Sequence, residues 1–95
     1  MVYMAKESDI TKEILKYLDE QGHFAFKHWA GMMSRRGISD IIGVQKQTGR
    51  AVFLEVKKPG AKIKDDQLEF IFEAELRGAI GGIVYGVDDV KKLGL

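Results

Sequence analysis

The spacing of apolar residues along this chain changes several times, and each change marks an element. Ile10, Ile14, Tyr17 and Leu18 recur at helical spacing, while Lys12, Lys16, Asp19 and Glu20 lie largely on other faces. That predicts a helix capped by Ser8 or Asp9, running to about Glu20 and stopped by Gly22. Residues 23–29 alternate weakly and read as a first strand, and residues 30–37, with Met32, Met33, Arg35 and Arg36, read as a loop. Two apolar runs at about 40–46 and 51–58 flank the turn Gln47-Thr48-Gly49-Arg50, which predicts a hairpin. Pro59-Gly60 ends its second strand, because proline lacks the ladder donor and glycine permits a sharp turn. A helix is expected from Asp65 or Asp66 to Arg77, with Leu68, Ile71, Phe72 and Leu76 as core positions and Gly78 as its stop. A short apolar strand over 82–87 and a helical turn over 88–93 complete the order αβββαβα. Such an order predicts an α/β sandwich around one mixed sheet, its last strand returning parallel to the second hairpin strand through a right-handed crossover.

The second hairpin strand has two different faces. Val52, Leu54 and Val56 alternate with Phe53, Glu55 and Lys57, so a carboxylate and an ammonium project from the same side. Asp40 opens the first hairpin strand, and pairing brings it beside Glu55 with Lys57 adjacent. Two carboxylates and a lysine can hold a hard divalent cation and a water, the minimum for metal-assisted phosphodiester hydrolysis. Each residue also has a plainer reading. Glu55 and Lys57 can be a surface pair on an open sheet face, and Gly-x-Ser-Asp is ordinary turn chemistry. Glu13 lies between Ile10 and Tyr17 and is expected to face inward with them, or to snorkel to the edge of the stripe. Gln67, one turn into its helix, is by default a surface residue. His23 and His28 lack a third partner at metal-ligand spacing and read as strand residues. The convergence of Glu13, Asp40, Glu55 and Lys57 is what favours a nuclease.

Composition limits what such a centre belongs to. Ninety-five residues with 45% hydrophobic content suit one compact domain over 1–95. The absence of cysteine excludes a disulfide framework and a thiolate zinc site. The start has no long apolar stretch and no segment approaches a membrane span, so the expected location is intracellular, in the cytoplasm. Net charge is only +1, but Arg35 and Arg36 precede Asp40, and Lys57, Lys58, Lys62 and Lys64 follow Glu55. A basic rim around an acidic centre matches a phosphate backbone; the plainer reading is a solvated lysine-rich loop.

Taken together, Asp40 followed by Glu55-Val56-Lys57 on a hairpin resembles the PD-(D/E)XK nuclease superfamily. Gly37-Ile38-Ser39-Asp40, Phe53-Leu54-Glu55-Val56-Lys57 and the later Gln67 resemble its VRR-NUC branch in particular, with Ser39 where the superfamily name has proline. The resemblance spans nearly the whole chain and implies a restriction-endonuclease-like αβββαβ core, a mixed sheet flanked by helices. It implies Mg²⁺ or Mn²⁺ held by Asp40, Glu55 and the Val56 carbonyl, with Glu13 contributing directly or through water. Lys57 would orient the attacking water and stabilise transition-state charge, and Gln67 would position the water or a phosphate oxygen. Arg35, Arg36, Lys58 and Lys62 are candidates for contacts to the DNA backbone, which give affinity without sequence choice. Stand-alone chains this small resemble viral or bacterial Holliday-junction resolvases. Two symmetric cuts across a four-way junction suit a homodimer, with Trp29, Met32 and Met33 as interface candidates. Rival expectations are a flap or nicking endonuclease, and a non-catalytic DNA-binding subunit of a larger assembly.

Overall fold

A computed structural model describes residues 6–29 and 35–95, and its elements follow the expected order. Helix α1 is Glu7–Glu20; strands β1, β2 and β3 are Phe24–Lys27, Ile41–Val44 and Ala51–Val56; helix α2 is Asp65–Leu76, strand β4 Ile80–Val84 and helix α3 Val87–Lys92. The four strands form one sheet in the order β1-β2-β3-β4. The first three pair antiparallel and β4 pairs parallel with β3, with α2 as the crossover between them. The fold is the expected α/β arrangement, a mixed sheet flanked by helices.

Strand alternation assigns the two faces of the sheet. Val52, Leu54 and Val56 share one face with their partners Ile80, Gly82 and Val84 and with Ile41. Against this face pack Ile10, Ile14 and Leu18 of α1 and Val90 of α3, all buried. Each such side chain withdrawn from water contributes about 1.5–3 kcal/mol. Tyr17 and Gln45 tie down the chain's last residues, donating to the main-chain oxygens of Leu95 at 2.7 Å and Gly94 at 3.2 Å. The opposite face carries Phe53 and Glu55 and, among the described residues, is covered by α2 alone. There Ile71 seats against Gly81, where a Cβ would come within 3.1 Å of Ile71 Cγ2. Phe53 meets Phe70 edge to face at 5.2 Å. Toward β1 and β2 this face is bare: Phe24, Phe26 and Val44 are 67%, 46% and 43% exposed.

Several boundaries and one packing expectation differ from those read off the sequence. Helix α1 is capped at Lys6 instead of Ser8 or Asp9; Asp9 sits in the first turn, its carboxylate accepting the Lys6 N–H at 3.4 Å. Strand β1 is shorter than 23–29, and both hairpin strands are shorter than expected. Strand β4 lies at 80–84 instead of 82–87, because the Tyr85 N–H already caps onto Asp89 of α3 at 2.8 Å. The stops Gly22 and Gly78 hold, both at positive φ. Of the four α2 core positions only Ile71 is buried; Leu68, Phe72 and Leu76 are 49%, 60% and 64% exposed. The approach allowed by Gly81 turns the line of Gln67, Phe70, Ile71 and Ala74 toward the sheet and the apolar stripe of 68, 72 and 76 outward. Met32, Met33 and the first part of the expected 30–37 loop lie outside the described residues.

Candidate active site

The hairpin register brings the first two acidic residues together. Ile41 pairs with Leu54 in the antiparallel ladder, so one step further Asp40 stands opposite Glu55. Asp40 is fixed from two sides. Its Oδ2 accepts the Val56 N–H at 2.8 Å, and its main-chain carbonyl accepts the His28 N–H at 2.7 Å. The preceding residues explain how it arrives there. Gly37, at φ +77°, lies so close to the first turn of α2 that a Cβ would collide with the Asp66 carbonyl. Ser39 is fully buried. The loop bearing Asp40 and the helix end bearing Gln67 therefore abut backbone to backbone.

Glu55 is the centre of the cluster, only 3% exposed although charged residues are almost never so buried without partners. Its Oε1 accepts a hydrogen bond from Gln67 Nε2 at 2.9 Å and lies 3.7 Å from Lys57 Nζ, an ion-pair distance too long for a hydrogen bond. Among the described residues its Oε2 is buried with no hydrogen-bond partner. Loss of water, and after it the charge and hydrogen bonding of Asp40, push the Glu55 carboxyl up from 4.5 to about 8. Lys57 acts against this shift, and Glu7 adds to it. Without a cation the pair thus favours retaining a proton at neutral pH. A divalent cation would neutralise the same repulsion and give Oε2 a partner, so the donor set, all oxygen, fits a hard ion. Among the described residues no three His, Asp or Glu side chains already gather as a metal cage, so a bound ion would keep several waters.

Gln67 is held at both ends: its Oε1 accepts the Lys64 N–H at 3.1 Å while its Nε2 serves Glu55. Lys57 is buried, its side chain only 10% exposed. Asp40, Glu55, Lys57 and Gln67 are therefore brought together. Val56 meets the cluster through its N–H. Glu13 does not join it. It is exposed, contrary to the inward orientation expected, because the buried face of α1 is set by Ile10, Thr11, Ile14 and Leu18. At about 100° per residue, Glu7 falls in line with that face whereas Glu13 points about 100° away from Ile14. Glu7 is the acidic residue of α1 whose charge Glu55 feels. The spacing 7, 11, 14, 18 is the signal that identifies it. Arg35, Arg36, Lys58 and Lys62 are exposed, as phosphate contacts require. His23 is structural, its buried Nδ1 accepting the Lys46 N–H at 3.0 Å.

Comparison with known proteins agrees with this fold. The family model of the VRR-NUC domain matches residues 2–90. A solved structure described as a VRR-NUC domain superposes with a TM-score of 0.73 at 25% identity, covering 92% of this chain and 91% of that one. No curated protein gives a significant match.

Proposed function

This chain belongs to the VRR-NUC family, nucleases of the PD-(D/E)XK type that bind DNA, and from that premise we propose that it is a divalent-metal-dependent endonuclease acting on branched DNA, a Holliday-junction resolvase working as a homodimer. The observation that carries the metal-dependent part is the buried Glu55 carboxylate, with one oxygen unpartnered and Asp40 beside it. Burying such a group costs free energy that nothing in the core recovers, and a cation-binding role accounts for it.

Asp40 and Glu55 would hold the cation, with the Val56 carbonyl as a further oxygen donor and Glu7, in place of Glu13, contributing through water from α1. Mg²⁺ or Mn²⁺, when bound, supplies Lewis-acid stabilisation of the phosphate and an attacking water of lowered pKa. The remaining work falls to the chain itself. Lys57, held against Glu55, presents a positive charge where the phosphoryl group gains negative charge. Gln67, fixed by Lys64 and Glu55, orients a water or phosphate oxygen. Arg36, Lys58 and Lys62 would contact flanking phosphates and so set position without reading bases. Among the described residues no base-reading element is evident, and recognition by DNA shape is part of this reading.

The homodimer is supported by symmetry and by surface. One catalytic cluster per chain needs a two-fold partner to cut opposing strands of a two-fold junction. Phe24, Phe26 and Val44 share one sheet face and leave an exposed apolar patch suited to such a partner, and Trp29 is exposed as well. The test is a cruciform plasmid incubated with Mg²⁺, Mn²⁺, Ca²⁺ or excess chelator, with light scattering on the free protein and the complex. Coupled cuts giving linear product with Mg²⁺ and Mn²⁺, and binding without cleavage in Ca²⁺, are expected. Full activity in chelator would remove the metal; a monomer yielding only nicked circles would leave a flap or nicking endonuclease.

A further inference from the structure

A groove of about 670 Å³ runs along the seam between β3 and the C-terminal half of α2, outside the acidic cluster but carried by the same two elements. Phe53 stands two residues before Glu55 on the same strand face, about 7 Å away by strand rise. Phe70 follows Gln67 by about one helical turn, so the same two elements that carry the cluster also carry the groove. We propose that this groove holds a short single-stranded segment of DNA next to the scissile phosphate. This rests on the endonuclease reading above and adds what would grip a strand that opens or is left unpaired at the branch point.

Two features of the groove point to that occupant. Its floor is aromatic: Phe53 and Phe70 line it, meet edge to face with centroids 5.2 Å apart, and neither is fully buried. Ring surface of this kind stacks with bases only when they are unpaired. Its walls are cationic, three arginines against one glutamate. Arg50 donates from Nε and Nη2 to the carbonyls of Gly78 at 2.7 Å and Ala79 at 3.3 Å, neutral acceptors that fix its orientation and leave its charge intact. Arg77 is engaged by Glu73 at 2.6 Å, so the free positive charge lies with Arg50 and the exposed Arg35. An aromatic floor between cationic walls is the composition that binds single strands, with stacking for bases and guanidinium for phosphates. The volume is that of a site for one small organic unit and is too narrow for a duplex.

The experiment compares three DNAs in Ca²⁺: a fully paired duplex, a junction, and a forked duplex with a short single-stranded arm carrying 2-aminopurine at the branch. Phe70→Leu keeps an apolar side chain against Phe53 while removing the ring, and Arg35→Gln alters an exposed residue that the fold does not need. With Phe70→Leu, affinity for the forked DNA should fall between about fivefold and a hundredfold, with loss of the 2-aminopurine quenching seen with the unsubstituted protein. Duplex affinity should stay the same. Arg35→Gln should lower the salt dependence of forked-DNA binding by about one unit. Equal weakening on duplex and fork, or no effect of either substitution, would overturn the proposal. Cleavage of junction and fork by the unsubstituted protein in Mg²⁺ and Mn²⁺, followed in parallel, separates the two readings: cleavage together with equal weakening of duplex and fork binding sinks only the groove, whereas no cleavage of either DNA with either cation sinks the metal-dependent endonuclease.

Discussion

The two faces of the central sheet follow opposite rules. On one, Val52, Leu54 and Val56 disappear under α1 and α3 in a continuous apolar core. On the other, one residue away along the same strand, Glu55 and Lys57 are buried almost as deeply but with charge, and the sheet beyond them is left bare. Alternation along a single strand therefore divides labour: even positions hold the fold together, and odd positions carry a group that the fold would be better without. The cluster is tolerated because the opposite face supplies the stability that it withholds.

Substitutions at the adjacent positions 54 and 55 give the largest separation of the two roles. Leu54→Ala removes a fully buried side chain and should cost about 2–5 kcal/mol in denaturant unfolding, while folded molecules keep their cation affinity. Glu55→Ala should instead lower single-turnover cleavage by at least about a hundredfold with an unfolding free energy little changed or higher. Near-normal cleavage by Glu55→Ala would remove Glu55 from the centre.

A smaller effect comes from pH. The folded-state value of Glu55 lies above its ordinary one, so folded and unfolded chains both hold the proton below about 4.5, and only the folded chain retains it between there and about 8. Stability of the cation-free protein is accordingly lost as pH rises through that window. Thermal melts in chelator should show Glu55→Gln gaining on the unsubstituted protein from pH 4.5 toward 8 and levelling off above, by several degrees, since each kcal/mol is worth about 4–8 °C in a chain of this size. Saturating Mn²⁺ should close the gap from the other side. A difference in melting temperature that is flat with pH would mean that Glu55 is not the group titrating.

The smallest effect belongs to the exposed basic rim. Lys58→Ala and Lys62→Ala should leave melting unchanged and each reduce the salt dependence of DNA binding by about one unit, equally for every DNA sequence. Discrimination between sequences would show that one of them reads bases.

How much of this was legible in the sequence follows the same division. Period-two alternation placed Asp40, Glu55 and Lys57 on one face before any coordinates, because a strand leaves a side chain only two directions to point. Helices leave more room for error. Glu13 was chosen between Ile10 and Tyr17, yet Tyr17 lies at the margin of the buried face, and the centre of that face runs through Thr11, Ile14 and Leu18 back to Glu7. In α2 the apolar residues at 68, 72 and 76 form a stripe, but packing is decided by the partner surface, and Gly81 admits Ile71 and the polar Gln67 instead. Hydrophobic spacing on a helix identifies a stripe without saying whether this chain or another molecule covers it. The burial of Ser39 and the contact at Gly37 were invisible because they depend on backbone approach between segments distant in sequence.

That contact has a mechanical meaning. With no side chain to cushion the meeting of Gly37 and the Asp66 carbonyl, the Asp40 loop and the head of α2 behave like two jaws machined from one block, closing on Glu55 from either side. A tilt of α2 would be expected to carry the loop with it and so preserve the opening between them. A nuclease built this way can shift both elements together without losing the spacing on which hydrolysis depends. A methyl group at position 37 would act as a shim, widening that opening permanently.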